Sequence, residues 1–576
     1  MFPTKKRLLE NRRERSKQMF SRSDSFQFEQ SLRILRKTRF ECFAFLLVAL
    51  FFIFTPAVTG ADSQTSKLRK QAEKAMRQGE FEIAVNLWQE VLRAEPENND
   101  FRLRLSYALY KQRRLLDSFN EAMTVNKAEP EKARVRSIIG SVYLAAGRLD
   151  EARTLFGDAL ARNRQDALAM AGAAMLDFYE NRSKMGLEKL RYAVYLDPNE
   201  PDFVFSLAQI AARTEHYKEA ADAYETFLRI APPADLDRRA RIQGLVKFLR
   251  YLGNISSLYE SGGKPQTTVA CQVINNRPVV EVRVNGSKEP LRFVLDTGSG
   301  MTVISEQTAA RLGIKPIVQG GMARAVGGGG KFPIVYGFLK ALEIGDTRIA
   351  KVPVYIRKFN DAGDSFDGYI GLSAISKFIV TLDYGNKTFS LEKNMAADDS
   401  AQKNDAPPVA TGQNPLMPQV EDARSIPLRT TSSGFLSSEV KIEGVEQPLN
   451  FILDTGASVS VVSAAAAKHN EISRFAQTAL LRVFGAAGVT ENVTTLILPR
   501  ISLGKTSRDK IIAAVLDLDP VNETTGFEQS GILGGNFLLH YRLKFNFQDS
   551  TVIFELSDSK NVSPVKQTSV DDNLPD

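Results

Sequence analysis

The residues of this chain best suited to chemistry are two aspartates in closely similar surroundings. Asp296 follows the apolar run Phe293–Leu295, Asp454 follows Phe451–Leu453, and Thr-Gly comes next in both places. Asp454 lies 158 positions after Asp296, and the same offset relates these neighbouring pairs: Glu281 and Glu439, Val282 and Val440, Gly286 and Gly444, Pro290 and Pro448, Leu291 and Leu449, Ser305 and Ser463. A repeat kept in register over about 25 residues indicates an internally duplicated fold.

Two carboxyl groups brought together by such a duplication can activate water. At close range they cannot both ionise readily, so the pair shares one proton. The ionised member takes a proton from a water molecule, and the protonated member polarises the carbonyl that is attacked. We therefore predict that Asp296 and Asp454 catalyse hydrolysis of amide bonds without a covalent intermediate, a metal or any other cofactor.

The residues after each aspartate predict how the two loops are held together. Thr297 and Thr455 can each donate a hydroxyl hydrogen bond to the other loop. Gly298 and Gly456 allow the two backbones to approach closely, because glycine has no Cβ atom. All four are expected to support the active-site loops.

Three further features recur after each aspartate and predict the rest of a lobe. A helical stretch comes first, at Ser305–Gly313 and Ser463–Ile472, and an apolar-apolar-glycine step follows at Tyr369–Gly371 and Ile532–Gly534. Between them lies a glycine-rich segment that suits the tip of a mobile hairpin closing over a cleft. The candidate flap residues are Gly327, Gly328, Gly329, Gly330, Gly485 and Gly488.

These motifs resemble the retropepsin-like aspartic protease superfamily over residues 266–394 and 425–557, about half of the chain. The resemblance implies two small, barrel-like all-β lobes with an active site where they meet, catalytic roles for Asp296 and Asp454, and a protein or peptide substrate. It departs from pepsins in lacking disulfides and a clear flap tyrosine, and the glycine-rich flaps look more like those of viral and bacterial relatives.

The segment between the two lobes bears on whether they pair within one chain. Residues 395–424 are polar and rich in proline, which is typical of a flexible linker. A coil of this length spans roughly 30 Å, so we expect pairing within one chain, with homodimerisation through each lobe as the alternative. Residues 558–576 are predicted to be a disordered tail.

Residues 65–260 are predicted to be a helical domain that precedes the lobes, and residues 65–234 of it show a period of 34. Prolines recur at Pro96, Pro130, Pro198 and Pro232, with Arg164 at the position between. The pattern resembles tetratricopeptide repeats, in which each unit is a pair of antiparallel helices and a proline ends the unit. We predict five such units, a capping helix at Leu236–Leu252 and a hinge at Ser261–Pro265, with an unspecified helical bundle as the alternative.

The first 60 residues predict a membrane anchor. Residues 43–60 are uncharged and strongly apolar, a length between a signal peptide core and a full membrane span. Residues 1–42 carry twelve Lys or Arg against five acidic residues, which keeps this basic segment in the cytoplasm and places the bulk of the chain on the outer, periplasmic or extracytoplasmic side. Secretion after signal cleavage is the alternative.

Composition excludes several other classes. Most of the net charge of +8 comes from the basic segment, so no nucleic-acid partner is predicted. The presence of only two cysteines excludes a disulfide framework and a cysteine-based zinc site, and three histidines without paired spacing argue against a histidine metal site.

The predicted architecture is therefore multidomain: a transmembrane helix, an all-α solenoid that resembles tetratricopeptide repeats, and two all-β lobes. The leading functional hypothesis is a membrane-anchored aspartic endopeptidase whose repeats recruit a substrate or protein partner. The alternatives are a non-catalytic interaction or scaffold protein with protease-like lobes, and a structural β-module in which the Asp-Thr-Gly triplets are coincidental. Intact aspartates, threonines and glycines in both copies favour the enzyme.

Overall fold

A computed structural model describes residues 58–233, 235–324, 326–327, 330–359, 366–394, 424–485 and 488–556. Four predicted segments lie wholly or mostly outside these residues: the basic segment 1–42, the membrane segment 43–60 up to residue 57, the linker 395–424 except for residue 424, and the tail 558–576. Within the described residues, none of the helices combines the length and apolar character needed to cross a membrane.

The first half of the described chain is a series of antiparallel helix pairs, which confirms the prediction of a repeated helical array. Five pairs are followed by a single helix whose bounds are those predicted. In chain order the helices are α1 Val58–Gln78, α2 Phe81–Ala94, α3 Asn99–Lys111, α4 Leu115–Ala128, α5 Ala133–Ala145, α6 Leu149–Arg162, α7 Ala167–Tyr179, α8 Ser183–Leu196, α9 Pro201–Arg213, α10 Tyr217–Ile230 and α11 Leu236–Leu252.

The period of 34 has a structural basis in the turn within each helix pair. In each pair, one residue of the turn after the first helix adopts a left-handed conformation, with φ between 62° and 75°. These residues are Gly79, Arg113, Gly147, Asn181 and Glu215. Small buried residues recur at the same interval in the second helices, where neighbouring helices touch: Ala84, Ser118, Ala152, Gly186 and Ala220. Each repeat thus contains the same turn conformation and the same close contact between helices.

The first lobe is a β structure with one short helix after each of two strands. Its elements are β1 Glu260–Gly263, β2 Gln266–Ile274, β3 Arg277–Val284, β4 Leu291–Leu295, β5 Thr302–Ser305, α12 Glu306–Arg311, β6 Val318–Arg324, β7 Lys331–Ile344, β8 Thr347–Arg357, β9 Gly368–Ile370, α13 Leu372–Ile375, β10 Phe378–Asp383 and β11 Thr388–Lys393. Ser305 caps α12 by accepting the Thr308 N–H, so the predicted helix after the aspartate is present.

The second lobe repeats this order. Its elements are β12 Ser425–Pro427, β13 Arg429–Thr430, β14 Leu436–Ile442, β15 Leu449–Leu453, β16 Ser460–Ser463, α14 Ala464–His469, β17 Ala476–Gly485, β18 Gly488–Leu503, β19 Thr506–Leu516, α15 Asp519–Thr525, β20 Gly531–Leu533, α16 Gly535–Leu538, β21 Tyr541–Asn546 and β22 Thr551–Leu556. In each lobe a central strand lies parallel to its neighbour, β4 with β9 and β15 with β20.

The two lobes are joined by their closing strands. β10 of the first lobe pairs antiparallel with β21 of the second, from Ile379 opposite Asn546 to Asp383 opposite Arg542. The resulting sheet runs β12-β22-β21-β10-β11-β2, and apolar residues of both lobes form one buried cluster. The lobes therefore pair within one chain, as expected from the linker length.

The predicted hinge between the array and the lobes is wrong. Ser261–Gly263 belong to β1, which pairs with β8 from Glu260 opposite Ala350 to Gly263 opposite Thr347. Glycines at a chain junction suggested flexibility, but the backbone hydrogen bonds of this segment are satisfied by the edge of the first lobe.

The second lobe is also docked on the array. Phe527 is fully buried within the apolar core of the repeats, with its ring centroid 4.9 Å from that of Tyr179. The Glu528 N–H donates to the Ala145 carbonyl at 3.0 Å, and the Asn450 amide donates to the Gly147 carbonyl at 3.2 Å. The lobes therefore contact the row of turns at one edge of the array.

Candidate active site

Each predicted aspartate is fixed by the apolar-apolar-glycine step of its own lobe. The Asp296 N–H donates to the Ile370 carbonyl at 3.0 Å, and the Asp454 N–H donates to the Leu533 carbonyl at 3.0 Å. The strand before each aspartate and the strand before each glycine lie parallel. Both side chains consequently leave their strands at the same edge and face the other lobe.

The two threonines lock the loops together with hydrogen bonds of the predicted kind. The Thr297 hydroxyl donates to the Leu453 carbonyl at 2.8 Å, and the Thr455 hydroxyl donates to the Leu295 carbonyl at 2.7 Å. Each hydroxyl oxygen also accepts the other threonine's N–H, at 3.0–3.1 Å. Thr297 is 1% exposed and Thr455 is fully buried, so water does not compete for these bonds.

The two glycines allow the carboxyl groups to meet. A Cβ atom built on Gly456 would lie 2.7 Å from Cγ of Asp296, and one built on Gly298 would overlap the carboxyl group of Asp454. Any side chain at either position would displace the opposite aspartate. The structure thus brings together six of the predicted site residues, and the carboxyl groups of Asp296 and Asp454 lie close enough to change each other's pKa.

Burial and mutual proximity give the two carboxyl groups different proton affinities. Desolvation raises the pKa of Asp296 well above its usual range, and the neighbouring charge of Asp454 and the hydrogen bond to it raise it further. Desolvation also raises the pKa of Asp454, but the hydrogen bond from Asp296 opposes this effect. Both shifts favour keeping a proton on the pair, and the larger rise in pKa is that of Asp296.

Backbone hydrogen bonds favour the charged form of Asp454 more than that of Asp296. Its Oδ1 accepts the N–H groups of Gly456 at 2.8 Å and Ala457 at 3.1 Å, whereas Oδ1 of Asp296 accepts that of Gly298 at 2.9 Å. Hydrogen bonds donated to a carboxylate stabilise its charged form. This difference between the loops was not predicted from the sequence.

The two glycine-rich hairpins meet at their tips. The β6–β7 hairpin, here called flap 1, brings Gly327 against Gly485 of the β17–β18 hairpin, flap 2: a Cβ atom on Gly485 would lie 2.8 Å from Cα of Gly327. Gly485 pairs with Gly488 across the tip of flap 2, and Gly330 precedes β7. Gly328 and Gly329 lie outside the described residues.

Apolar side chains lie on the same face as each aspartate. In the second lobe this cluster comprises Ile452, Val461, Val493, Ala514, Leu516, Leu518 and Ile532, and Val326 of flap 1 packs against it. In the first lobe it comprises Val279, Val294 and Phe366, with Ile274 and Tyr369 beside them. Such walls can bind apolar side chains next to the carboxyl pair.

One charged residue near the site was missed by sequence reasoning. The positive charge of Arg357 lowers the pKa of Asp296, against the larger effect of burial. Its guanidinium lies 4.0 Å from the ring centroid of Phe332 in flap 1. By strand register Arg357 is opposite Ser305, as Leu516 is opposite Ser463, so this position is cationic in one lobe and apolar in the other.

The fold and the carboxyl pair define the class of this molecule as a two-lobed, aspartyl protease-like protein. A family model described as "Aspartyl protease" matches residues 280–374 and 438–537, and one described as "Tetratricopeptide repeat" matches residues 69–125, 116–167 and 172–235. The chain therefore carries retropepsin-like aspartyl protease lobes fused to a tetratricopeptide repeat array.

Similar solved structures are tetratricopeptide repeat proteins. A TPR protein of Thermus thermophilus is 18% identical over 32% of this chain and 98% of its own, with a TM-score of 0.28. MamA of Desulfovibrio magneticus RS-1 is 20% identical over 30% of this chain and 97% of its own, with a TM-score of 0.22. Yeast Tom70 is 16% identical over 34% of this chain and 41% of its own, with a TM-score of 0.26. No curated protein matches the chain.

Proposed function

We propose that this protein is a membrane-anchored aspartic endopeptidase in which Asp296 and Asp454 activate a water molecule. The observation that carries the proposal is the buried carboxyl pair, held by reciprocal threonine hydrogen bonds, with the pKa of both carboxyl groups raised. A purely structural role would gain nothing from burying two carboxyl groups together, since desolvation penalises the charge that remains.

In the proposed mechanism Asp454 is the ionised member of the pair and Asp296 carries the shared proton. Asp454 accepts a proton from water as the water oxygen attacks the peptide carbonyl carbon, and Asp296 gives its proton to the carbonyl oxygen. Asp454 then delivers its proton to the peptide nitrogen as the carbon–nitrogen bond breaks. Asp296 recovers a proton from the collapsing intermediate, so the pair returns to its starting state.

The first experiment compares cleavage of an unfolded protein between pH 3 and 7 by the wild type, Asp296→Asn and Asp454→Asn. Both substitutions should reduce the rate by at least about a thousandfold, because each removes one half of the proton relay. Asp383→Asn is the matched control, since Asp383 is a buried carboxylate in the interlobe sheet. Equal cleavage by all four proteins would reject the endopeptidase.

The anchor proposal rests on the apolar segment 43–60 and its basic flank. The full chain should sediment with membranes after alkaline extraction, and replacing Leu47 and Phe51 with arginine should release it. The molecular mass of the mature chain separates the anchor from the secretion alternative, because signal cleavage would remove the first 60 or so residues and release the chain. A wild-type chain that remains in the supernatant would reject the anchor.

The array is proposed to recruit a protein, since tetratricopeptide repeats present extended protein-binding surfaces. One exposed feature is the aromatic pair Tyr192 and Tyr195 on α8, whose rings stack at 6.2 Å. Tyr195→Ala should weaken cleavage of a folded protein substrate while cleavage of a short peptide is unchanged. An equal effect on both substrates would locate the defect in the lobes.

A further inference from the structure

Helix α11 of the repeat array packs directly against flap 1. The Phe248 ring stacks on that of Tyr336 in β7, with centroids 4.2 Å apart. The Arg241 guanidinium donates to the Met322 carbonyl in β6 at 3.0 Å. Close to the tip, Lys331 forms an ion pair with Asp237 at the start of α11.

The closest point of this contact is glycine against glycine. Gly244 lies inside α11, where glycine is disfavoured relative to alanine. A Cβ atom there would overlap Cα of Gly320 in β6 and lie 2.7 Å from the Gln319 carbonyl oxygen. The next residue, Gly321, has φ of +77° at the irregularity where the β6–β7 register shifts. Helix and flap backbones therefore touch at a place where neither carries a side chain.

Flap 2 has a different environment. None of the ten residues of β17 is buried; Leu481 and Val483 pack partly against the second-lobe cluster, but Leu480 and Phe484 are 54% and 43% exposed. Flap 1, by contrast, has a second attachment besides α11, since Arg324 forms an ion pair with Glu523 of α15 at 3.1 Å. The two hairpins match in sequence position but differ in how firmly they are held.

We propose that α11 is a positioning element of the active site: it fixes flap 1 over the carboxyl pair, so that substrate enters by movement of flap 2. This proposal rests on the proposed function for its kinetic consequence, but its structural consequence does not. Exposed backbone with few buried contacts opens more readily than packed backbone. The array is thus part of the catalytic unit as well as a docking platform.

The test uses a pair of glycine substitutions that differ in what the new methyl group meets. Gly244→Ala places a Cβ atom against flap 1, whereas Gly157→Ala, in α6, places one where no atom lies within 4 Å. Both raise helix propensity. Hydrogen exchange of the full chain should show residues 318–338 exchanging about tenfold faster in Gly244→Ala than in Gly157→Ala. In the wild type, β17 of flap 2 should exchange faster than β6 of flap 1.

The kinetic arm measures hydrolysis of a short peptide. Gly244→Ala should raise KM about tenfold with a smaller change in kcat, since the flap binds substrate but does not transfer protons. Phe248→Leu, which removes only the ring stack, should act in the same direction. If the wild type does not cleave but the exchange difference is present, the proposed function fails and the positioning role stands. If both glycine variants exchange alike, or β6 exchanges faster than β17 in the wild type, the positioning role is rejected.

Discussion

Replacing Phe527 with alanine tests whether the lobes and the array form one cooperative unit. The Phe527 side chain is 0% exposed although it lies in a connecting segment of the second lobe. It occupies the core of the repeats, beside Tyr179. Alanine would leave a cavity where the second lobe enters the array, without changing any residue of the array itself.

The size of the effect follows from that burial. A buried phenylalanine removes about 150–250 Å² from water, and Phe-to-Ala substitutions in cores destabilise by about 3–5 kcal/mol. The aromatic contact with Tyr179, at 4.9 Å between centroids, contributes about 1 kcal/mol of this. We therefore expect Phe527→Ala to weaken docking by about 3–5 kcal/mol.

Hydrogen exchange on the full chain is the assay that separates docking from folding. In Phe527→Ala, exchange should rise at the junction, in residues 145–148 and 431–434, while the helices of the array keep their protection. Phe156→Ala is the matched control, because Phe156 is 1% exposed in the same array core and lies against Gly140 and Gly172. It should loosen α5–α7 instead. Unchanged exchange at the junction in Phe527→Ala would refute the docking argument.

The remaining predictions concern the carboxyl pair and its loops. Thr455→Ala should destabilise the protein by about 2–4 kcal/mol in chemical denaturation, because it leaves the Leu295 carbonyl and the Thr297 N–H unpaired; Thr455→Ser should retain most of the stability. Peptide hydrolysis should fall at low pH as Asp454 gains a proton and at high pH as Asp296 loses its proton, since both pKa values are raised. The free energy of unfolding should decrease as pH rises through the raised pKa of Asp296, because the folded state binds that proton more tightly than the unfolded state. Arg357→Leu should shift the high-pH limb of the rate profile to higher pH, because the guanidinium lowers the pKa of Asp296. Arg357→Lys keeps a positive charge and should not shift it.

Each of these has an outcome that contradicts it. A Thr455→Ser variant as unstable as Thr455→Ala would show that the hydroxyl does not hold the loops. A pH dependence of stability that persists unchanged in Asp296→Asn would mean that another group binds the proton. A rate profile that is the same in Arg357→Leu and the wild type would place the guanidinium too far from the pair to act on it.

Local patterns in the sequence predicted a large part of the fold. The period of 34 predicted the helix pairs, and the bounds of the single helix after them were also predicted. The offset of 158 residues gave both carboxyl loops and their threonine hydrogen bonds. These features could be read from the chain because they depend on short-range spacing and on a fold that is repeated within the sequence.

Only the tertiary structure decided how the parts are joined. The segment predicted to be a hinge pairs with an edge strand as β1, because an edge offers unpaired backbone groups. The burial of Phe527 in the array and the contact of Gly244 with Gly320 join residues that are distant along the chain, and no local spacing encodes them. The Oδ1 atom of Asp454 accepts one more backbone N–H than that of Asp296, a difference of geometry between two loops whose sequences are nearly the same.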